Sequence, residues 1–345
     1  MSLERAWYSG ASWLRMLRPL SALFRCLVQR RCARQRRLGS AESGIPVPVV
    51  IVGNISIGGT GKTPLTIALI ELLRAEGYRP GVVSRGYGAA PPSYPWHVTA
   101  ETPPATGGDE PCLIVQRTDV PLVIDPDRPR AVDALLDHSP CDVIISDDGL
   151  QHYALARDIE IAVVDGRRGL GNGHCLPEGP LREPPERLAL VDWVVVNGAA
   201  TVAGLPALEQ TPVCMQLFPS RLTPLSGGPS IRPECWTQGR QVHAVAGIGN
   251  PGRFFDTLRS LGFEPIEHPL EDHAAMTPEQ FDFLPPLPVI MTEKDAVKCR
   301  AFPLKEAWVL RVEARLSASF QSQFLQRLAQ VSAQQTGQNN GSQTA

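Results

Sequence analysis

The sequence predicts an α/β protein: a P-loop NTPase-like parallel sheet, a second, smaller α/β domain, and an amphipathic helix at the amino terminus. Three observations predict it. A β-branched run, Val47 to Ile55, leads into a glycine-rich turn and then a helical pattern ending by Gly77. Strand-length apolar runs alternate with helical patterns over the rest of the chain as far as Gln330. The first 37 residues interleave nine arginines and a single acid, Glu4, with apolar residues at helical spacing.

At 345 residues the chain is long enough for about two domains. Apolar residues make up 43% and charged residues 20%, which excludes global disorder, collagen-like repetition and a disulfide scaffold. The net charge of −2 hides an asymmetry, because the body after residue 37 holds 24 basic and 34 acidic residues. A basic arm on an acidic body points to an anionic surface, and not to nucleic acid. The eight cysteines are scattered without a C-x-x-C pair, so they form neither a zinc site nor a secreted disulfide framework, and they fit a reducing compartment. Lysine is confined to Lys62, Lys294, Lys298 and Lys305, which gives a lysine inside a motif extra weight.

In the arm, residues 1–37, Trp7, Trp13, Leu14, Leu17, Leu20, Leu23, Phe24, Leu27 and Val28 recur on one helical face. Arg15, Arg18, Arg25, Arg30 and Arg31 interrupt it, so no run reaches the ~18 apolar residues of a spanning helix. They also rule against a signal peptide, since no small-residue cleavage site follows. The reading is a helix lying in a bilayer surface with arginines on anionic lipid, the alternative being a helix packed on the body. Pro19 is expected to kink it.

A phosphate-loop pattern comes next. After the buried strand stands Ser56-Ile57-Gly58-Gly59-Thr60-Gly61-Lys62-Thr63, with a helix expected from Lys62 and Pro64 tolerated in its first turn. Glycines turn backbone amides toward phosphate oxygens, Lys62 reaches the β- and γ-phosphates, and the Thr63 hydroxyl binds Mg²⁺. Ser56 stands where the usual first glycine would be, so the loop has the tighter G-G-x-G-K-T form. Downstream, the strand beginning at Cys141 ends in Asp147-Asp148, where a carboxylate beside a phosphate loop holds metal. Which of the two ligates stays open.

Two further strands, 159–165 and 191–198, extend the sheet around a Gly- and Pro-rich loop, 166–187. The Pro/Gly/Ser-rich stretch 199–240 marks the transition from a first domain, 38–210, to a smaller one, 211–333. The latter reads as strand 242–248, helix 251–262, strand 264–270, helix 277–284, strands 288–293 and 307–316, and a last helix. Residues 334–345 are expected to be a disordered tail.

The order of motifs resembles the tetraacyldisaccharide 4′-kinase (lipid A 4′-kinase) family of Gram-negative bacteria. The matching segments are VGNISIGGTGKTP (52–64), VVSRGYG (82–88), GGDEP (107–111), SDDGLQH (146–152), GPLREP (179–184), AGIGNPGRFF (246–255), EDHAAMT (271–277) and TEKDAVK (292–298). The resemblance implies a P-loop kinase domain and a smaller domain that closes over it. It implies transfer of the γ-phosphate of ATP to the 4′-hydroxyl of tetraacyldisaccharide 1-phosphate, giving the bis-phosphorylated lipid A precursor. ATP and Mg²⁺ are the expected cofactors, and the partners are an acylated glucosamine disaccharide lipid and the inner-membrane surface at its cytoplasmic face. No nucleic acid or obligate protein partner is expected.

For the base, the resemblance points to Asp109 paired with His273. Asp109 as cap of a helix near Pro111, and His273 as an ordinary surface residue, are the plain alternatives. Glu110, Arg182 and Glu183 are the expected substrate residues, although Arg182 and Glu183 also read as a surface ion pair. Glu293 to Asp295 read equally as nucleotide contacts or as a solvated turn. If His273 and Asp109 lie on different domains, their dyad assembles on closure. The rival readings are a membrane-associated switch ATPase, which would carry a lysine where Ile57 stands, and a kinase of a soluble small molecule.

Overall fold

A computed structural model describes residues 3–39, 44–198, 202, 204–271 and 276–342. The arm is two helices, α1 (Leu3–Ser9) and α2 (Arg18–Gly39), joined by a 3₁₀ turn over Ser12–Leu17. Gly10 at φ +70° breaks the run. Pro19 does not kink a helix but sits in the first turn of α2, where a missing N–H goes unfelt.

The first unit follows as β1 (Val49–Gly53), α3 (Lys62–Ala75), β2 (Pro80–Ser84), β3 (Trp96–Val98), α4 (Pro104–Gly107), α5 (Asp109–Thr118), β4 (Leu122–Ile124), α6 (Arg128–His138), β5 (Val143–Asp147), β6 (Ile159–Asp165) and β7 (Trp193–Asn197). The second comprises β8 (Val213–Pro224), β9 (Gln241–Ala246), α7 (Pro251–Ser260), β10 (Glu264–Pro269), β11 (Val289–Thr292), α8 (Glu293–Cys299) and β12 (Ala307–Arg315), and α9 (Ala318–Ser342) closes the chain. Strand order is β10-β9-β11-β12-β8-β7-β6-β1-β5-β2-β4-β3. Pairing is parallel except for β8 with β12 and β3 with β4. Strands β1, β2, β5, β6 and β7 are buried on both faces, the condition that makes parallel strands read as continuous apolar runs.

The structure departs from the sequence expectations, or adds to them, in four places. The units are not separate sheets: β8 pairs with β7 on one side and β12 on the other, so the two halves share one sheet. The chain also returns to the first unit at its end, because Phe320, Phe324, Leu328 and Val331 of α9 pack with Trp193, Leu65 and Leu69 in the first core. Helix α9 then runs on to Ser342, through most of the stretch expected to be disordered. Similarly, the helix expected over 277–284 is only a 3₁₀ turn, Pro278–Phe281, since Pro285 and Pro286 leave it no room to continue.

Candidate active site

The phosphate loop lies between β1 and α3, at the carboxyl end of the sheet. Gly58 and Gly61 take φ of +94° and +99°, backbone that an L side chain adopts only with strain. At Gly61 space is also closed, since an added Cβ would lie 2.5 Å from Asn197 Nδ2. That amide donates to the Thr60 carbonyl at 3.0 Å and ties the loop to the end of β7. Ser56 needs no such freedom, which explains the departure from the full consensus. It sits in an extended bridge with Leu181, flanked by Arg182 N donating to Ile55 O (2.6 Å) and Ile57 N to Pro180 O (2.9 Å). The 175–183 loop is thereby strapped along the entry to the phosphate loop.

Next to it, Val52 of β1 stands opposite Asp147 of β5, so register alone brings the carboxylates to Lys62. The two adjacent acids have different surroundings. Asp147 is buried and accepts from Thr66 Oγ1 at 3.0 Å; burial, with the Glu110 and Asp148 charges nearby, pushes its carboxyl up to about 7. Asp148, at φ +49°, turns toward the mouth. Its Oδ1 lies 3.5 Å from Lys62 Nζ and its Oδ2 3.3 Å from Arg182 Nη1. Burial opposes its charge, but Lys62 and Arg182 outweigh that and hold its carboxyl at about 2. Thr63 stands in the first turn of α3 beside Lys62, and a hydroxyl with carboxylates is a set of hard oxygen donors of the kind that suits Mg²⁺. The buried Thr60 Oγ1 and Asn54 Oδ1 have no protein partner among the described residues, as expected of groups awaiting ligand or water.

Beside this cluster lies a cavity of about 220 Å³, lined by Arg31 of the arm, Arg85, Tyr87, Glu110, His152 and Arg182, among others. Burial, with Arg128 and Arg85 nearby, lowers the His152 imidazole to about 3, so it stays neutral among the arginines. Two expected substrate residues, Glu110 and Arg182, face this space. Glu183 does not. It is buried, accepting from Gln151 Nε2 at 2.6 Å and from the Tyr153 hydroxyl, with Arg187 Nε 3.6 Å away. Arg182 and Glu183 therefore form no pair with each other; one faces the phosphate site and the other braces the strap beneath it.

Asp109 is the first residue of α5 and follows the N-cap Gly108. Its Oδ2 lies 3.2 Å from Lys298 Nζ of α8. Lys294 reaches Glu110 at 3.4 Å, and Glu293 takes Arg117 Nη1 at 2.6 Å and Val312 N at 3.0 Å. Asp295 is fully buried, accepting from Gly247 N (2.9 Å) and Thr292 Oγ1 (2.6 Å). Residues 293–295 are thus neither a solvated turn nor, among the described residues, part of the phosphate cradle. They are a clamp of the second unit on α5. His273 lies outside the described residues.

Sequence reasoning missed Asn197, Arg85, Arg31, His152 and Lys298 as site residues. Lys298 had a signal, being one of four lysines and inside a motif. Asn197 had only a strand-end position, and Arg31 was counted as lipid-facing.

Comparisons place this geometry among known proteins. Residues 13–329 match the family Tetraacyldisaccharide-1-P 4′-kinase. A tetraacyldisaccharide 4′-kinase of Azotobacter vinelandii is 55% identical over 334 residues, 96% of this chain and 98% of that protein. One of Stutzerimonas stutzeri is 54% identical over 331 residues, 95% and 97% of the two chains. The crystal structure of LpxK from Aquifex aeolicus in complex with ATP superposes with a TM-score of 0.72 at 25% identity, covering 91% of this chain and 99% of that one.

Proposed function

The chain belongs to the tetraacyldisaccharide-1-P 4′-kinase family, and from that premise we propose how its residues divide the work of an ATP-dependent lipid kinase. It moves the γ-phosphate of ATP to the 4′-hydroxyl of a tetraacylated glucosamine disaccharide 1-phosphate, the lipid A precursor. The 4′-oxygen bonds to the γ-phosphorus, the bond to the β-γ bridging oxygen breaks, ADP leaves, and the hydroxyl proton passes to a carboxylate. The observation that carries the reading is the shared cluster of Lys62, Asp148 and Arg182. It joins the phosphate loop to the metal-type carboxylate at the edge of an arginine-lined cavity.

Gly58, Gly59, Thr60 and Gly61 present backbone to the triphosphate, and Lys62 and Arg182 hold charge that moves from the γ-phosphate to the leaving oxygen. Thr63 and Asp148 would hold Mg²⁺, with Asp147 fixed behind them by Thr66. When bound, the ion neutralises phosphate charge and keeps the transferring group in line. Asp148 is the better ligand of the two acids because it is charged and faces the mouth. Asp109 accepts the proton, with His273 as its partner, while Glu110 and Arg182 face the acceptor. Arg31 brings the arm into the same cavity, so the acceptor headgroup lies where the arm meets the body.

No helix among the described residues is long and apolar enough to cross a membrane. Trp13, Met16, Leu20, Leu23 and Leu27 of the arm are nevertheless exposed, while Ala6, Trp7 and Leu14 pack against the body. We read the exposed set as the face that rests on the cytoplasmic side of the inner membrane, with the arginines on lipid phosphate.

Phosphate transfer from γ-labelled ATP with Mg²⁺ to the tetraacyl disaccharide 1-phosphate in micelles tests this reading, with Lys62→Ala and Asp109→Ala beside wild type. Label in the lipid with wild type, reduced at least about 1,000-fold by either substitution, is expected. ATP hydrolysis without labelled lipid would discard the acceptor and favour a switch ATPase.

A further inference from the structure

Helix α8 brings a second-unit lysine onto a first-unit carboxylate. Lys298 Nζ lies 3.2 Å from Asp109 Oδ2 and 4.0 Å from Asp295 Oδ1, and the three side chains are 9%, 12% and 0% exposed. Asp295 is itself immobile, held through its other oxygen by Gly247 N and Thr292 Oγ1. Its Oδ1 has no hydrogen-bond partner among the described residues, which leaves its charge directed at Lys298. The lysine is therefore oriented from behind by one buried carboxylate and presented to another.

We infer that Lys298 is a positioning residue of the kinase, holding Asp109 charged and aimed at the acceptor hydroxyl when the second unit is docked on α5. This rests on the reading of Asp109 as the base. A base in phosphoryl transfer must be ionised before it accepts the proton, and a cation at 3.2 Å in a half-dry interface favours that form. The geometry also restricts when it is available. Lys298 belongs to α8, whose Glu293 and Lys294 grip Arg117 and Glu110 of α5, so Asp109 is held only with the whole helix seated. Gly249, at the end of the loop that Asp295 anchors, would lie 3.9 Å from a Cβ on Gly59 of the phosphate loop. The same docking thus sets both the base and a wall of the nucleotide site.

Besides His273, its partner in the proposed reaction, other ionisable groups stand near Asp109 among the described residues. Glu110 and Cys112 share α5, and burial, with the Asp109 charge next, pushes the Cys112 thiol up to about 12, so it stays protonated. On the segment carrying Lys298, Lys294 pairs with Glu110, Asp295 lies 4.0 Å from Lys298 and Arg300 stands near Cys112, while Asp147 lies beyond Glu110.

The test is the pH profile of lipid phosphorylation by the full chain carrying Lys298→Met, Lys298→Arg or Asp109→Asn. Lys298→Met is expected to lower kcat about 100-fold with the KM for ATP nearly unchanged. It moves the acid limb of kcat/KM up by about one pH unit, because Asp109 loses the cation that favours its charge. Lys298→Arg restores the wild-type acid limb and part of kcat. Lys298→Gln, similar in length and polar, is the second neutral variant if the methionine form does not fold. A neutral variant with the wild-type acid limb, or an arginine form no better than the neutral one, overturns the inference, while an inactive Asp109→Asn leaves the base assignment standing. Full activity in Asp109→Asn removes both.

Discussion

The active site is flanked by two attachments of different make. On one side α8 grips α5 through ion pairs that are almost dry: the Arg117 and Glu293 side chains are 7% and 13% exposed at 2.6 Å. On the other, the arm is fastened by Arg18 on Glu178 at 3.0 Å, by Trp7 Nε1 donating to Pro177 O, and by Ser21 Oγ donating to Cys175 O. Arg18 is 58% exposed, and the helix it opens leaves a row of leucines uncovered. The clamp is buried within the chain; the arm is buried in part and leaves the rest of its apolar face exposed. Burial, more than the number of contacts, separates a joint that holds geometry from an apolar face left exposed.

The largest effect is expected where the clamp loses one partner. Arg117→Met strands the Glu293 carboxylate between Val312 N and an apolar side chain, at a cost of about 3–5 kcal/mol in urea unfolding. The double variant Arg117→Met, Glu293→Gln should cost less than the sum of its two singles, because no charge is left unpaired. A single loss within about 1 kcal/mol would place the clamp in the same class as an exposed pair and remove the contrast.

The two flanks also differ in how much of them the sequence discloses. The phosphate loop, the strands β1, β5, β6 and β7 and the Asp147-Asp148 pair follow from local pattern, because glycine positions, β-branched runs and a strand-terminal acid are all short-range signals; β2, β3 and β4 are not among the strands expected from the sequence. The arm's apolar face was equally legible, but which half of it packs was not. Trp7 and Leu14 sit in the same periodic stripe as Trp13 and Leu20, and only the shape of the 175–178 loop decides which are covered. For the clamp, Thr292 to Lys298 look like any charged turn until α5 is set beside them. Pairing across some 180 residues, as between Lys294 and Glu110, leaves no periodic trace. The shared sheet and the return of α9 to the first core escaped for the same reason.

On the arm, replacing Leu20, Leu23 and Leu27 together by serine should weaken binding to anionic phospholipid vesicles about 100-fold. These side chains are each a little over half exposed, so each has roughly 1 kcal/mol of apolar burial still to gain. Turnover on lipid in vesicles falls with binding, while ATP affinity, set on the far side of the strap, holds. Equal vesicle binding by the triple variant would make the uncovered row an ordinary surface and dissolve the distinction between the flanks.

The smallest effect separates two opposing arguments about Arg18. Glu178 is 3% exposed, and a carboxylate that buried is costly to leave alone. Yet its own backbone N–H is already satisfied by Ser21 Oγ at 2.8 Å, and His174 Nε2 stands 3.6 Å from the same oxygen that Arg18 holds. Arg18 lies mostly in water, where its charge is screened, and Glu178 reaches that water once the guanidinium is gone. The second argument wins: Arg18→Ala should cost about 1 kcal/mol or less in urea unfolding. A loss of the size expected for Arg117 would mean that the arm is clamped as firmly as α8. Its outward leucines would then belong to a part of the body as firmly held as the second unit.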